Sequence, residues 1–249
     1  MRIMVLNQMA RSQNNDEYHQ RVEPLLRSYA SPGTQVDLCY PDDRPDRARG
    51  EGASPLGKAL STPGLIRKTI WAEQNGYDAV IQSNNFDPGV EASRLAVRIP
   101  VLGLCRTTML MAANLADRIG VTVPFRPNIG MARGLLQSYG LLNHVTEIRS
   151  LELYAVPGGE QLAEQRAALF SRAVEVMRAL VNETGAQCVV PLGGAIIPYI
   201  VDPKDLEPEV GAPVLNPKAI GIRTAEMCVQ LRMSQSPLAY PYATLRGDS

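Results

Sequence analysis

The chain has 249 residues, of which 45% are hydrophobic and 20% charged, and its 25 basic side chains balance its 25 acidic ones. This length gives one large domain or two small ones with a real core, and the ordinary glycine, proline and cysteine contents exclude collagen, low-complexity disorder and a small disulfide scaffold. A formal charge of zero gives no electrostatic signature of binding to nucleic acid or to an anionic membrane. We therefore expect a small-molecule partner, and neither nucleic acid nor membrane.

No uninterrupted apolar run reaches the roughly 20 residues that a bilayer span requires. The four cysteines are scattered without a C-x-x-C pair, which argues against a zinc site and against a disulfide framework. Reduced thiols fit a cytoplasmic protein best, so we expect a cytoplasmic chain without a metal.

Short apolar runs alternate with segments of helical spacing, a pattern typical of a mainly parallel sheet covered by helices. In chain order, the pattern predicts strand 3–6, helix 18–29, strand 35–39, exposed loop 42–54, helix 63–75, strand 78–81, helix 88–97, strand 100–104, helix 107–119, strand 121–124, helix 131–139, strand 147–154, helix 160–184, strands 187–191 and 213–215, and helix 217–233.

A weak internal repeat relates two parts of the chain. The runs 76–81 and 99–103, separated by a polar loop, have counterparts in 185–190 and 212–216, separated by a glycine loop. The repeat predicts an α/β fold of two similar half-domains with mainly parallel sheets around an interdomain cleft. We assign 1–118 plus 222–249 to the first domain and 119–221 to the second. Because ligands in such sheets bind outside the carboxyl ends of the strands, the loops after Ile81 and Pro191 should face the cleft together.

Several segments carry a resemblance to a known family: 1–7, 31–37, 76–89 with its Asp87-Pro88-Gly89, 99–103 and 185–195. With these segments the chain resembles the aspartate/glutamate/hydantoin racemase superfamily over nearly its whole length, and most of all the hydantoin and allantoin racemases. The resemblance implies two α/β domains around a cleft, no cofactor, and a substrate that is a small carboxylate or a cyclic amide. Relatives of that branch include arylmalonate decarboxylase and maleate isomerase.

The chemistry of this superfamily uses one cysteine in each of the two loops, one thiolate removing a proton and the opposite thiol returning one. In this sequence the first cysteine position falls at Asn84 and the second at Gly194. Neither residue can take up a proton. The resemblance therefore implies a racemase fold with a non-standard mechanism.

Residues in these two loops are the first candidates for the site. Asn84 and Asn85 offer amide donors and acceptors for a carbonyl or carboxylate, although Asx residues also favour turns after strands. Ser83 offers a hydroxyl, with plain turn chemistry as its alternative. The backbone N–H groups of the Gly193-Gly194-Ala195 segment suit an anionic oxygen, although paired glycines also serve tight turns.

Candidates outside the two loops are less specific. Asn7 matches a position at which the family holds substrate, but it also suits a strand end. Arg126 could bind a carboxylate in bidentate fashion or form a salt bridge. Cys105 follows a strand, and the adjacent Arg106 and a helix start are expected to lower its pKa, although most such thiols are simply packed. Asp87 is expected to cap the helix that begins at Pro88.

The leading hypothesis is a cofactor-independent isomerase of the racemase type. A lyase, decarboxylase or hydrolase stays open, because Asn84, Ser83 and the glycine amides could stabilise an enolate or a tetrahedral oxyanion without a cysteine pair. A metabolite-binding protein that has lost the chemistry also stays open, since fold resemblance alone does not fix activity. A homo-oligomer is a further open expectation.

Overall fold

The computed structural model describes residues 1–8, 16–42, 54–153, 162–192 and 197–243, without the side chains of 162–164. Its strands form two sheets in which every pairing is parallel. The first sheet has the order β2-β1-β3-β4 and contains β1 (Arg2–Leu6), β2 (Gln35–Cys39), β3 (Ala79–Gln82) and β4 (Val101–Gly103). The second has the order β6-β5-β7 and contains β5 (Ile119–Val123), β6 (Val145–Ser150) and β7 (Cys188–Pro191).

The two sheets repeat one topology, which confirms the predicted α/β fold class with two sets of parallel strands. Val214 makes a parallel bridge to Val189, beside β7, in the place that β4 occupies beside β3. The predicted strand 213–215 is thus reduced to this single bridge.

The strands alternate with helices, and the described helices are not long and apolar enough to cross a membrane. In chain order they are α1 (Asp16–Ser28), α2 (Pro55–Gln74), α3 (Val90–Ala96), α4 (Leu104–Leu115), α5 (Asn128–Ser138), α6 (Leu162–Thr184), α7 (Pro203–Val210) and α8 (Pro217–Gln230), with a 3₁₀ turn at Leu142–His144.

Helices α4 and α8 hold the two halves together. They pack against each other, α4 lies against β7 of the second sheet, and α8 lies against β3 of the first. A Cβ atom at Gly221 of α8 would collide with the Leu104 side chain of α4, so the glycine permits this close approach. The arrangement brings the carboxyl ends of β3 and β7 next to each other.

The expectation that Asp87 caps the helix starting at Pro88 is wrong. Helix α3 begins at Val90 after Gly89 and has no side-chain cap. The Asp87 carboxylate instead accepts hydrogen bonds from the backbone N–H groups of Cys105 (2.9 Å) and Arg106 (3.1 Å). It therefore caps α4, which begins three residues earlier than the sequence pattern predicts.

Candidate active site

The loop after β3 lies at the centre of a group of polar side chains. Ser83 continues the strand pairing, since its backbone N–H donates to the Leu6 carbonyl at 2.8 Å. This bond places the loop beside the residues that follow β1. The predicted candidates Ser83, Asn84 and Asn85 are therefore at the carboxyl edge of the sheet, where parallel α/β proteins bind ligands.

Asn84 makes two different side-chain hydrogen bonds to described residues. Its Oδ1 accepts from the backbone N–H of Phe86 at 2.9 Å, which is the turn chemistry expected of an Asx residue. Its Nδ2 donates to Oε1 of Gln8 at 2.5 Å, across to the segment after β1. Gln8 is held in turn by Ser61 of α2, to whose Oγ it donates at 2.9 Å. Asn84 is half-buried, whereas Gln8 is buried.

Asn85 joins the two halves of the molecule. It is buried, and its Nδ2 donates to the Pro191 carbonyl at the end of β7 over 3.1 Å. The Gly193, Gly194 and Ala195 candidates lie just beyond that strand, outside the described residues, and their roles stay predictions.

Lys218, which the sequence analysis did not single out, is in direct contact with this loop. It lies in the first turn of α8 with only 3% of its surface exposed. Its Nζ donates to the Ser83 carbonyl and lies 3.3 Å from both Ser83 Oγ and Asn85 Oδ1. Burial lowers the pKa of Lys218 to about 7, while the Asp87 carboxylate acts in the opposite direction.

A signal for Lys218 was present in the sequence. It shares helical spacing with the buried residues Gly221, Ile222 and Ala225, so it lies on the inward face of α8. A lysine in such a stripe has to find acceptors inside the protein, because a buried amine without partners is costly.

Two tyrosines complete the surroundings. The Tyr199 hydroxyl lies 3.4 Å from Ser83 Oγ, and the Lys218 Nζ lies 5.2 Å from the centre of its ring. Burial raises the pKa of Tyr199, so this phenol stays neutral. Tyr18 of α1 packs edge-on against Tyr199, and Asn7 donates to the Tyr18 hydroxyl at 3.4 Å. The predicted Asn7 therefore borders the site through Tyr18.

We call the set Gln8, Ser83, Asn84, Asn85, Tyr199 and Lys218 the polar cluster.

The expectation of a lowered pKa at Cys105 is wrong. Its side chain is fully buried in the apolar core beneath the second sheet. Burial, and then the nearby Asp87 carboxylate, raise the pKa of Cys105 well above its ordinary value. These two effects on the pKa of Cys105 outweigh the lowering that was expected from the start of α4. The Arg106 guanidinium packs over Tyr139, with its central carbon 5.2 Å from the centre of that ring.

The structure does not bring Arg126 into the polar cluster. Arg126 follows β5, is exposed, and donates its backbone N–H to Glu152 Oε1 at 2.9 Å. A contact between its guanidinium and a substrate carboxylate stays a prediction.

The donor set of the polar cluster suits proton transfer and oxyanion binding better than metal binding. It consists of amides, a hydroxyl, a phenol and one amine, and the described part of the chain holds no group of three or more His, Cys, Asp or Glu that could bind a metal ion. Neutral N–H and O–H donors in a buried site can stabilise a developing oxyanion, and an amine can exchange a proton.

Comparison with known proteins gives one consistent result. Residues 11–225 match the family model described as Asp/Glu/Hydantoin racemase. A hydantoin racemase of Rhizobium meliloti is 28% identical over 213 residues, covering 84% of this chain and 83% of its own length. A hydantoin racemase of Pseudomonas sp. (strain NS671) is 29% identical over 228 residues, covering 89% and 85%. The solved structure of allantoin racemase from Pseudomonas fluorescens shares the fold over the full length of both chains, with a TM-score of 0.84 at 19% identity.

Proposed function

The chain belongs to the Asp/Glu/hydantoin racemase family, and from this premise we propose that it is an isomerase acting on a hydantoin- or allantoin-like cyclic amide without a cofactor. The reaction is inversion at a carbon next to a carbonyl, through removal and return of its proton. The observation that carries the proposal is the polar cluster at the joined ends of β3 and β7, where the family resemblance places the first reactive residue.

The proposed mechanism does not use a pair of thiols. Asn84 and Gly194 stand where the resemblance puts the two cysteines. Deprotonation next to a carbonyl creates an enolate, whose oxygen needs hydrogen-bond donors. The Asn84 amide can supply one donor by exchanging Gln8 for the substrate oxygen, and the backbone N–H groups of Gly193 and Gly194 are proposed to supply others.

The experiment that tests the function follows the α-proton. The protein is incubated in deuterium oxide with enantiopure 5-substituted hydantoins, allantoin, amino acids and substituted malonates, while optical rotation and mass are recorded. Deuterium at the α-carbon together with loss of rotation supports an isomerase. A loss of mass points to a decarboxylase or another lyase, and binding without either change points to a metabolite-binding protein. A sample without protein corrects for spontaneous exchange of the hydantoins.

Cofactor independence and compartment are part of the same proposal. Activity should survive dialysis against EDTA and should not respond to added nucleotides or metal ions. All four cysteines are free, which supports a reducing compartment such as the cytoplasm. Light scattering of the purified protein decides between a monomer and a homo-oligomer.

A further inference from the structure

We propose that Lys218 is the acid–base group of this site and carries the proton that a cysteine carries in the family. This inference rests on the proposed isomerase function and names the residue that performs its chemical step. The Nζ atom contacts Ser83 and Asn85, the two residues on either side of Asn84. The amine therefore lies beside the position at which the resemblance puts the first thiol.

The surroundings of Nζ satisfy both protonation states. As an ammonium group, Nζ donates to the Ser83 carbonyl, to Ser83 Oγ and to Asn85 Oδ1. As a neutral amine it keeps two of these bonds, and its lone pair accepts a hydrogen bond from the Ser83 hydroxyl, which acts as donor or acceptor. Proton transfer thus leaves no buried donor or acceptor without a partner, which avoids the usual cost of such a group.

The charge of the surroundings keeps both forms available near neutral pH. Burial lowers the pKa of Lys218 to about 7, and the Asp87 carboxylate opposes that shift. Two titratable groups on the elements around it are neutral, because burial raises the pKa values of Tyr199, in the segment after β7, and of Cys105, on the buried side of α4. Lys58 of α2 interacts electrostatically with the Asp87 carboxylate. Tyr18 of α1 reaches this region through Tyr199. Strands β3 and β4, which pack against α8, carry no titratable side chain.

The chemical step balances without a further reagent. The lone pair of the neutral amine turns from the Ser83 hydroxyl to the substrate and removes the proton from the carbon next to the carbonyl. The C–H electron pair forms the C=C bond of the enolate while the C=O π pair moves onto the oxygen, and Nζ becomes an ammonium group. Collapse of the enolate takes the proton back from Nζ to carbon. Return to the same face gives exchange without inversion, and return to the opposite face, after the intermediate has turned, gives the enantiomer. A single base therefore predicts that exchange with solvent is faster than loss of optical rotation.

A matched pair of lysine variants tests the assignment. Lys218 and Lys204 occupy the same place in their helices, since each follows an Asx-Pro pair whose Asx side chain accepts the lysine N–H. Lys204 is exposed and paired with Glu207. Deuterium exchange into L-5-benzylhydantoin is measured for the wild type, Lys218→Met, Lys218→Arg and Lys204→Met, with the Tm and the Kd for the hydantoin as checks on folding and binding.

The expected result is that Lys218→Met and Lys218→Arg lose exchange by about 100-fold or more, the usual contribution of an acid–base group, while Lys204→Met does not. Arginine can still donate to the Ser83–Asn85 loop but cannot give up its proton, so its loss of activity separates acid–base chemistry from a structural tie. The wild-type kcat/KM for exchange should rise with pH through a pKa of about 7.

Three outcomes overturn the inference. Exchange retained within a few-fold in Lys218→Met removes Lys218 from the chemistry and leaves the proposed function standing. A flat wild-type pH profile between about pH 5.5 and 9.5 does the same, and this measurement needs no variant to fold. Absence of exchange by the wild type with every compound of the panel overturns the proposed function, and the inference with it.

Discussion

In the proposed mechanism, Asn84 combines a structural and a functional role in one side chain. Its oxygen fixes the turn after β3 through Phe86, and its amide nitrogen is directed at Gln8, a neutral partner. Exchanging Gln8 for a substrate oxygen takes this donor from the buried Gln8 Oε1, and the stronger, charge-assisted bond to an oxyanion can offset that cost. An amide side chain can donate to an oxyanion but cannot take up a proton, so the proposed mechanism gives Asn84 the first of these tasks and not the second.

Replacement of Asn84 by alanine tests this role. We expect Asn84→Ala to lower kcat/KM about 5- to 150-fold, which corresponds to roughly 1–3 kcal/mol of transition-state stabilisation, because the oxyanion loses a hydrogen-bond donor. The control is Asn143→Ala, in the 3₁₀ turn at Leu142–His144, where the side chain is exposed. Steady-state kinetics with L-5-benzylhydantoin makes the comparison. An unchanged kcat/KM would leave Asn84 as a turn residue only.

The Cys105 thiol is expected to be unreactive in the folded protein. Because its thiol is buried and its pKa is raised, iodoacetamide should not modify it in the folded protein, whereas the half-buried Cys39 and Cys228 should react faster. Cys105→Ala should lower the Tm but keep turnover. Peptide mass mapping after alkylation, together with activity assays, checks both points. Rapid labelling of Cys105 accompanied by loss of turnover would return it to the mechanism.

The connection between the loop after β3 and helix α4 depends on Asp87. Its backbone φ is +50°, its carboxylate caps α4, and it also accepts from the Tyr139 hydroxyl at 3.0 Å. Tyr139 ends α5, in the second half of the molecule. One carboxylate therefore ties the loop of the polar cluster to two helices. The absence of a side chain at Gly103 leaves room for this carboxylate, because a Cβ atom there would lie 2.5 Å from Asp87 Cγ.

Substitution of Gly103 tests that junction. Gly103→Ala should displace the Asp87 carboxylate and lower the free energy of unfolding by about 1–3 kcal/mol, the typical cost of overpacking. The matched control is Gly134→Ala in α5, where a Cβ meets nothing within 4 Å. There the better helix propensity of alanine should raise the free energy of unfolding by about 0.5–1 kcal/mol. Urea denaturation measures both changes, and equal effects would contradict the role of Gly103.

Most strands were predictable from the sequence, although 213–215 forms only a single bridge and β6 begins two residues before the predicted 147–154; several helix limits were not predictable. A buried parallel strand needs only a short apolar run, which is visible locally. The start of α4 was misplaced because its cap, Asp87, lies 18 residues away along the chain from Cys105. Helix α7 was missed because it is short and contains two prolines, although Asp202 and Pro203 form an ordinary helix start.

The candidate site was predictable only in part. Ser83, Asn84 and Asn85 are polar residues directly after an apolar strand, so their place at the sheet edge followed from the pattern. Lys218 joins them from 135 residues away, through the packing of α8 onto β3. Only the spacing of α8 marked that lysine as inward, and nothing in the local sequence tells which loop an inward lysine meets.

The polar cluster depends on both halves of the molecule. Asn85 bonds to the end of β7, Lys218 reaches the loop from α8, and α8 is itself anchored to the first half by Glu226, which accepts from the Ser31 N–H at 2.7 Å. The buried amine is therefore a feature of the folded state alone. In the unfolded chain Lys218 returns to water and to an ordinary lysine pKa.

This difference links proton binding at Lys218 to the stability of the molecule. Between its folded pKa of about 7 and the ordinary value of 10.5, the unfolded state binds more protons than the folded one. The free energy of unfolding therefore gains a contribution that increases with pH across this window, on the order of 2–3 kcal/mol from pH 7 to pH 9. Lys218→Met lacks this contribution, and Lys204→Met keeps it.

Urea denaturation of the wild type and the two variants at pH 6, 7, 8 and 9 measures the effect. The unfolding free energy of the wild type minus that of Lys218→Met should rise with pH. The reason is that unfolding of the wild type above pH 7 takes up a proton at Lys218, and this uptake becomes less favourable as the pH rises. Other groups with shifted pKa values, such as Tyr139 and Tyr199, are common to both proteins and cancel in the difference. The same subtraction with Lys204→Met should stay flat. A flat difference for Lys218→Met as well would mean that the Ser83 and Asn85 oxygens hold a permanent ammonium ion, which could not accept a proton from a substrate.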